Sequence, residues 1–314
     1  MKSNRREFLT LAALGAVGLA GGCAMRRTPS EKTEVSGSLL FGSCVEGELA
    51  AAVPGLEEAG YSFYETSTDN AFMPGKSESD WTKQRHLIES FGIPLRSCNG
   101  FYTKRFRLTG PEPRWDEALG YADVCFRRGD EVGLKYIVLG SGGARNQPAG
   151  FPLDKAVDQF VEFCKRLADR AASSNVTVVL EPLPKKAVTF LRYVSEGVEI
   201  AKRVNHPRLK VLADLRHMAN NEESADSILK AGTEYIKHTH IAVKTHQLPG
   251  FDDPGEIPVM LQNLVKIGYA GGVSLEGVCG ATQIGKFPEG SDALKYGRMM
   301  ALAVMRSWAA GKVI

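Results

Sequence analysis

From Leu39 onward, short apolar runs rich in β-branched residues alternate with stretches of helical period, and the alternation repeats eight times. Strands are expected at 39–42, 61–65, 93–97, 135–140, 176–181, 209–214, 235–240 and 272–276. Helices are expected between them at 46–59, 77–90, 114–133, 153–173, 188–204, 219–231 and 254–267, with a last one at 292–309. In the helix over 153–173, Val157, Phe160, Val161, Cys164, Leu167, Ala168 and Ala171 recur at three- and four-residue steps, the signature of one buried face. Continuous apolar strands belong to parallel sheets covered by helices. Eight such units over 37–314 match an α/β fold, a single (β/α)8 barrel, which typically takes about 250 residues. A doubly wound open sheet is the competing architecture, and eight uninterrupted repeats favour closure.

The first residues read differently. Asn4-Arg5-Arg6-Glu7-Phe8-Leu9 resembles the twin-arginine export motif, and an uncharged run of 13 residues, Phe8 to Ala20, follows it. That run is too short to span a bilayer, which takes about 20 residues. Leu19-Ala20-Gly21-Gly22-Cys23 resembles a lipoprotein cleavage site, although Ala20 stands where a bulky aliphatic residue is usual. The expectation is a signal peptide over 1–22, a flexible tether over 23–36, and an exported protein, periplasmic or anchored to the membrane through a lipid on Cys23. Ordinary cleavage to a soluble product is the alternative.

Cleavage there removes Lys2, Arg5, Arg6 and Glu7, so 39 bases and 36 acids become 36 and 35, a net charge of +1. A near-neutral chain without basic clusters argues against a nucleic-acid partner. The remaining cysteines, Cys44, Cys98, Cys125, Cys164 and Cys279, form no CxxC pair. Cys125 and Cys164 fall on helical core positions, whereas Cys44, Cys98 and Cys279 follow strand ends, where a thiol could line a pocket.

Four strands end in a side chain that binds metals. Val176-Thr-Val-Val-Leu-Glu181 ends in Glu181, Leu209-Lys-Val-Leu-Ala-Asp214 in Asp214, Tyr235-Ile-Lys-His-Thr-His240 in His240, and Gly272-Val-Ser-Leu-Glu276 in Glu276. The carboxyl ends of barrel strands carry the active site of this architecture. Three hard carboxylates and one imidazole suit Mn²⁺, Mg²⁺ or Co²⁺, with Zn²⁺ also compatible. Against one divalent ion the three acids leave a net negative charge, so a loosely held carboxylate can still act as a base. The alternative for any single acid is a helix cap or a salt bridge.

These motifs resemble the xylose isomerase-like barrel superfamily, in its sugar phosphate isomerase/epimerase branch. Leu180-Glu-Pro-Leu183, Asp214-Leu-Arg-His217, His240 and Ser274-Leu-Glu-Gly277 carry the likeness, at spacings of 33, 26 and 36 residues similar to those of ketose 3-epimerases. The resemblance implies one divalent metal, Mn²⁺ foremost, on Glu181, Asp214, His240 and Glu276. It implies Glu181 and Glu276 as acid/base pair across the substrate carbon, an enediolate held by the metal, and His217 on a substrate oxygen. It also implies frequent pairing into homo-oligomers.

The chain departs from that family where substrate hydroxyls are read: Ala187 replaces a Glu six residues after Glu181, and His246 replaces an Arg six residues after His240. Lys185, Lys244 and His246 are candidates for the lost contact, with solvated loop residues as the alternative. Glu65, at the end of the second expected strand, is a candidate for the pocket rim, with a structural salt bridge as the alternative. Gly140-Ser-Gly-Gly-Ala-Arg145 reads as a phosphate cradle or as a tight turn. His86 and His206 read as structural. The expected function is a divalent-metal-dependent isomerase or epimerase of an unphosphorylated sugar. A keto-glycoside lyase or hydratase using the same metal and base, and a non-catalytic exported carbohydrate-binding barrel, stay open. An endonuclease of the same superfamily is disfavoured by the neutral charge and by the lack of extra His ligands.

Overall fold

The computed structural model describes residues 39–278 and 293–312. The signal peptide, the tether, Cys23 and Cys279 lie outside them. Eight parallel strands close into a barrel in chain order, with β1 (Leu40–Cys44) hydrogen-bonded to β8 (Gly272–Leu275). Between them run β2 (Phe63–Ser67), β3 (Leu95–Asn99), β4 (Tyr136–Leu139), β5 (Thr177–Leu180), β6 (Leu209–Asp214) and β7 (Ile236–Ile241). The expected closure is observed. Among the described residues, no helix is long and apolar enough to cross a membrane.

Side chains alternate along each strand, so every second residue faces the barrel axis. Phe63 fills the interior beside Gly42 and Gly272, where an added Cβ would stand 2.2 and 2.6 Å from its ring. Above it, Val138, Val179 and Leu212 pack together against Tyr136. The register then sets the upper layer, with Asp214 opposite His240 and His240 opposite Ser274. Glu276 stands two residues beyond Ser274, the next inward position, and its amide bonds the Ile241 carbonyl at 3.0 Å.

The helices form the outer ring and bury their apolar stripes against the strands. In α6 (Leu153–Ala171), counting α1 (Leu49–Ala59), α2 (Thr68–Phe72), α3 (Glu78–Glu89), α4 (Trp115–Glu131) and α5 (Gly142–Arg145) before it, the buried face runs through Ala156, Phe160, Phe163, Cys164, Leu167 and Ala171. Val157, expected in that face, lies at its partly buried edge. Two expected helices start or break elsewhere. The helix expected from Val188 begins only at Val194, as α7 (Val194–Val204), because Arg145 holds the Phe190 and Leu191 carbonyls at 2.5 and 3.2 Å. The one expected over 219–231 is two, α8 (Leu215–Asn220) and α9 (Asp226–Tyr235). Glu222 between them has φ 57°, and Glu223 turns away to accept the Val194 amide at the start of α7, at 3.0 Å. The outer ring is completed by α10 (Ile257–Lys266) and α11 (Ala293–Ala309).

Candidate metal centre and active-site pocket

Glu181, Asp214, His240 and Glu276 come together at the carboxyl end of the barrel, each offering a ligand atom within 4.8 Å of the others. Glu181 is the first residue past β5 and extends the ladder, its amide bonding the Leu139 carbonyl at 3.2 Å. Beside it Gly140 has no side chain, and a Cβ there would lie 2.2 Å from Glu181 Oε2. Asp214 splits its oxygens. Oδ1 caps α8 by accepting the His217 amide at 2.8 Å, and Oδ2 is buried with no hydrogen-bond partner among the described residues. His240 Nδ1 lies 3.1 Å from Glu181 Oε1 and 3.6 Å from Glu276 Oε2. Oxygen ligands sit about 2.0 to 2.6 Å from a divalent ion, so opposite ligands stand about 4 to 5 Å apart. The four residues fit that span, with Asp214 Oδ2, which has no hydrogen bond among the described residues and lies 3.3 Å from His217 Nδ1, and His240 Nδ1 among the atoms on offer.

Below this centre lies a buried array. Glu65 Oε1 is 2.9 Å from His240 Nε2, and Glu65 Oε2 takes hydrogen bonds from His238 Nε2 at 2.8 Å and Ser97 Oγ at 2.6 Å. Glu65, His238 and His240 are all fully enclosed. This corrects the expectation for Glu65 as a rim residue that touches substrate. The expected strand ended at Glu65, whereas β2 continues to Ser67, so Glu65 is its third residue and faces the barrel interior. Its partner His238 escaped the sequence reading. The signal was there: in Ile236-Lys-His-Thr-His240 the two histidines are two apart and must share the inward face of a strand. The His238 ring stacks on Tyr136, with centroids 5.5 Å apart.

The charges follow from this geometry. Burial would raise Glu65, but His240 and His238 hold its carboxyl well below the usual range. Burial disfavours charge on His240, yet Glu65, Glu276 and Glu181 outweigh it and raise the ring well above its ordinary pKa. Burial pushes Glu276 up to about 8, with Glu181, Asp214 and Glu65 adding to the rise and His240 opposing it. Burial also works against Asp214, but His217, Arg216 and His240 keep it low. Glu276 is thus raised while Asp214 and Glu65 are held low, a separation of the kind acid/base chemistry needs.

His217 stands where it can face a ligand of that centre. Arg216 Nη2 lies 2.8 Å from His217 Nε2, and an arginine can only donate. The ring hydrogen therefore sits on Nδ1 and bonds the Pro182 carbonyl at 3.0 Å. Glu276 opens into a cavity of about 440 Å³, lined by Cys44, Glu46, Arg216, His246 and Arg298 among others. His246 adopts φ 68° and faces this cavity, and burial followed by the Arg216 charge lowers its pKa. Lys185 and Lys244 do not line it. Lys185 is exposed, 4.0 Å from Glu222, and Lys244 borders a separate depression beside Asp252 and Asp253. Ala187 is exposed on the turn after Pro184.

The Gly140–Arg145 stretch is a clasp for carbonyls. Arg145 is fully buried and donates to the Gly140, Phe190 and Leu191 carbonyls at 2.5 to 3.2 Å, with the Glu181 carbonyl at 3.5 Å. That turns the stretch inward, away from any phosphate. Cys125 and Cys164 are core residues, Cys98 is buried within β3, and Cys44 alone of the described thiols reaches the cavity. His206 Nδ1 accepts the Arg208 amide in a turn, and His86 is exposed on α3. Arg216 and Arg298 were not singled out from the sequence, where nothing distinguishes them from surface arginines.

A closed parallel barrel with three carboxylates and one histidine at its carboxyl rim defines a class. The chain belongs to the xylose isomerase-like TIM barrel family, whose model matches residues 54–296. Within it the chain falls in the branch of the ketose 3-epimerases. It is 30% identical over 214 residues to a D-psicose 3-epimerase of Ruminiclostridium cellulolyticum, covering 65% of this chain and 70% of that one. It is 24% identical over 169 residues to a probable ketose 3-epimerase of Synechocystis, covering 52% of this chain. The match spans 58% of that relative's length. Among solved structures, the 3-keto-D-glucoside 4-epimerase of E. coli superposes with a TM-score of 0.71 at 18% identity, over 86% of this chain and 100% of that one. A D-psicose 3-epimerase of Clostridium cellulolyticum with D-tagatose gives 0.72 at 20%, over 86% and 99%.

Proposed function

We propose that the protein is a divalent-metal-dependent sugar epimerase or isomerase that moves a proton on a carbon next to a carbonyl, acting on an unphosphorylated sugar. One observation carries this reading: Glu181 and Glu276 reach the same atom, His240 Nδ1, from separate strands, at 3.1 and 3.6 Å. Glu181, Asp214, His240 and Glu276 would hold the ion, Mn²⁺ by preference, since three hard oxygens and one nitrogen suit it. When bound there, a divalent ion would supply Lewis acidity that lowers the cost of the charge developing on an oxygen beside the ionising C–H.

The chain's own groups do the rest. Glu181 takes the proton in its ionised form, and Glu276 returns one from the other side of the carbon. His217, pinned by Pro182, presents Nε2 to a substrate oxygen once Arg216 moves off it. Asp214 and Glu65 fix the geometry without exchanging protons. The names of the curated relatives, ketose and D-psicose 3-epimerases, support the epimerase reading over a lyase. The Arg5-Arg6 motif and Cys23 support export to the periplasm or its membrane surface, where free sugars rather than sugar phosphates are met.

The test is to incubate Mn²⁺-loaded mature protein in D₂O with free ketoses, aldoses and 3-keto-glycosides, following C–H exchange by NMR. Deuterium should enter one carbon beside the carbonyl, with an epimer accumulating. Release of an aglycone would favour elimination, and no exchange in any sugar would overturn the enzyme reading.

A further inference from the structure

We propose that the sugar carries a carboxylate remote from its reacting carbonyl, and that Arg216 is the residue that reads it. The inference deepens the epimerase reading and rests on it. Arg216 occupies the second position of α8, between Asp214 and His217, so its backbone is anchored to the metal centre. Its side chain enters the wall of the 440 Å³ cavity that Glu276 faces, a size typical of ligand sites.

The charge on Arg216 is unmatched. Other buried or half-buried arginines find oxygens, Arg192 with Glu196 at 3.0 Å, Arg128 with Glu78 at 2.8 Å and Arg145 on carbonyls, while Arg96 lies over the Phe63 and Tyr136 rings instead. Among the described residues Arg216 has no carboxylate within 4 Å; its one hydrogen bond goes to His217, and its Nε is buried without an acceptor. A half-buried guanidinium in that state carries a desolvation cost that an anion would remove. The other charged groups facing the cavity do not supply one. Arg298 reaches in from α11 and donates to the Cys44 carbonyl at 3.2 Å, and Lys295 pairs with Glu58. Glu276 belongs to the metal centre, which leaves Glu46 as the remaining acid on a wall that also carries Arg216, Lys295 and Arg298.

The hydroxyls of a neutral sugar can accept from such a wall but leave its charge unmatched, whereas a planar two-oxygen group matches the guanidinium fork with paired charge-assisted bonds. A carboxylate fits better than a phosphate. The glycine-bearing loop that could cradle a phosphate is turned inward around Arg145, and a single fork serves two oxygens, not three.

The experiment is calorimetric titration of the Mn²⁺-loaded mature protein with three probes: D-fructuronate, whose C6 is a carboxylate, D-fructose, and D-fructose 6-phosphate. D-fructuronate should bind at least tenfold more tightly than D-fructose. Arg216→Gln should abolish that preference with Mn²⁺ affinity unchanged, and Arg216→Lys should restore only part of it. Equal affinities for the acid and the neutral sugar, or no binding of the acid, would overturn the proposal. So would tighter binding of the phosphate, or an equal loss for acid and neutral sugar in Arg216→Gln, which would assign Arg216 to holding His217. C–H exchange on the same probes reads the epimerase proposal separately. Acid-selective binding without exchange would sink that proposal alone, and exchange without acid preference would sink this one alone.

Discussion

Glu65 Oε1 lies 2.9 Å from His240 Nε2, although the two residues are 175 positions apart and neither touches solvent. The contact fixes which nitrogen of His240 is free. Glu65 accepts from Nε2–H, and Nδ1 is left to face Glu181 and Glu276. Removing that acceptor lets the ring turn or take the other tautomer. Outer partners of this kind typically carry 10- to 100-fold in metal affinity. Glu65→Leu is expected to weaken Mn²⁺ binding by about that factor, and Glu65→Gln, which keeps an oxygen acceptor, by less. Calorimetric titration of the two variants decides it, and equal affinities would remove the positioning role.

Gly140→Ala is expected to act on the centre from the opposite side. The new Cβ would sit 2.2 Å from Glu181 Oε2, so the carboxylate must swing aside. Mn²⁺ affinity should fall about tenfold or more, because the supporting geometry of a ligand is lost. Gly140 has no left-handed φ, so the melting temperature of the metal-free protein should change little by comparison.

Metal binding should depend on pH with a definite sign. Glu276 holds its proton up to about 8, and His240 is raised as well. Both must lose protons to act as ligands, so protons compete with the metal below that pH. Apparent Mn²⁺ affinity should therefore rise with pH through the neutral range, by up to about tenfold per unit per proton displaced. Titrations at pH 7 in buffers of different ionisation heat should show proton release, and an affinity that is flat from pH 6 to 8 would contradict the assignment.

Arg145→Met should destabilise the fold. The substitution orphans the Gly140, Phe190 and Leu191 carbonyls, all deep in the fold. Each buried unpaired group costs about 1 to 3 kcal/mol, so a loss of about 3 kcal/mol or more is expected in denaturant unfolding. Because the clasped loop also carries Gly140, Mn²⁺ affinity should drop alongside stability.

Glu276→Gln should keep the barrel and lose the chemistry. The amide cannot carry the exchangeable proton, and C–H exchange in D₂O should fall by about 100-fold or more if Glu276 is the acid. Ligand affinity should survive better than exchange. Equal exchange in the variant and the parent would take the role away from Glu276.

The metal centre was legible because each of its members is marked locally. Glu181, Asp214, His240 and Glu276 all stand at the end of an apolar run, and a strand end is a property of a few consecutive residues. Boundaries set by distant partners were not legible. The helix expected from Val188 starts at Val194 because Arg145, in another loop, claims two of its carbonyls. The helix expected over 219–231 breaks because Glu223 caps a different helix. A shift of two residues at the end of one strand moved Glu65 from the rim to the interior. Lys185 and Lys244 read like pocket residues and face elsewhere, and Arg216, which reads like a surface residue, lines the cavity.

Periodicity along the chain is thus enough to set the alternation of strand and helix, the inward face of each strand, and the four residues that crown it, because these depend on neighbours within a turn or two. Which of those residues meet, which nitrogen of His240 points where, and which cation is left without a partner depend on closing β1 onto β8. Only closure brings groups more than a hundred positions apart within hydrogen-bonding distance and shuts out the water that would otherwise satisfy them.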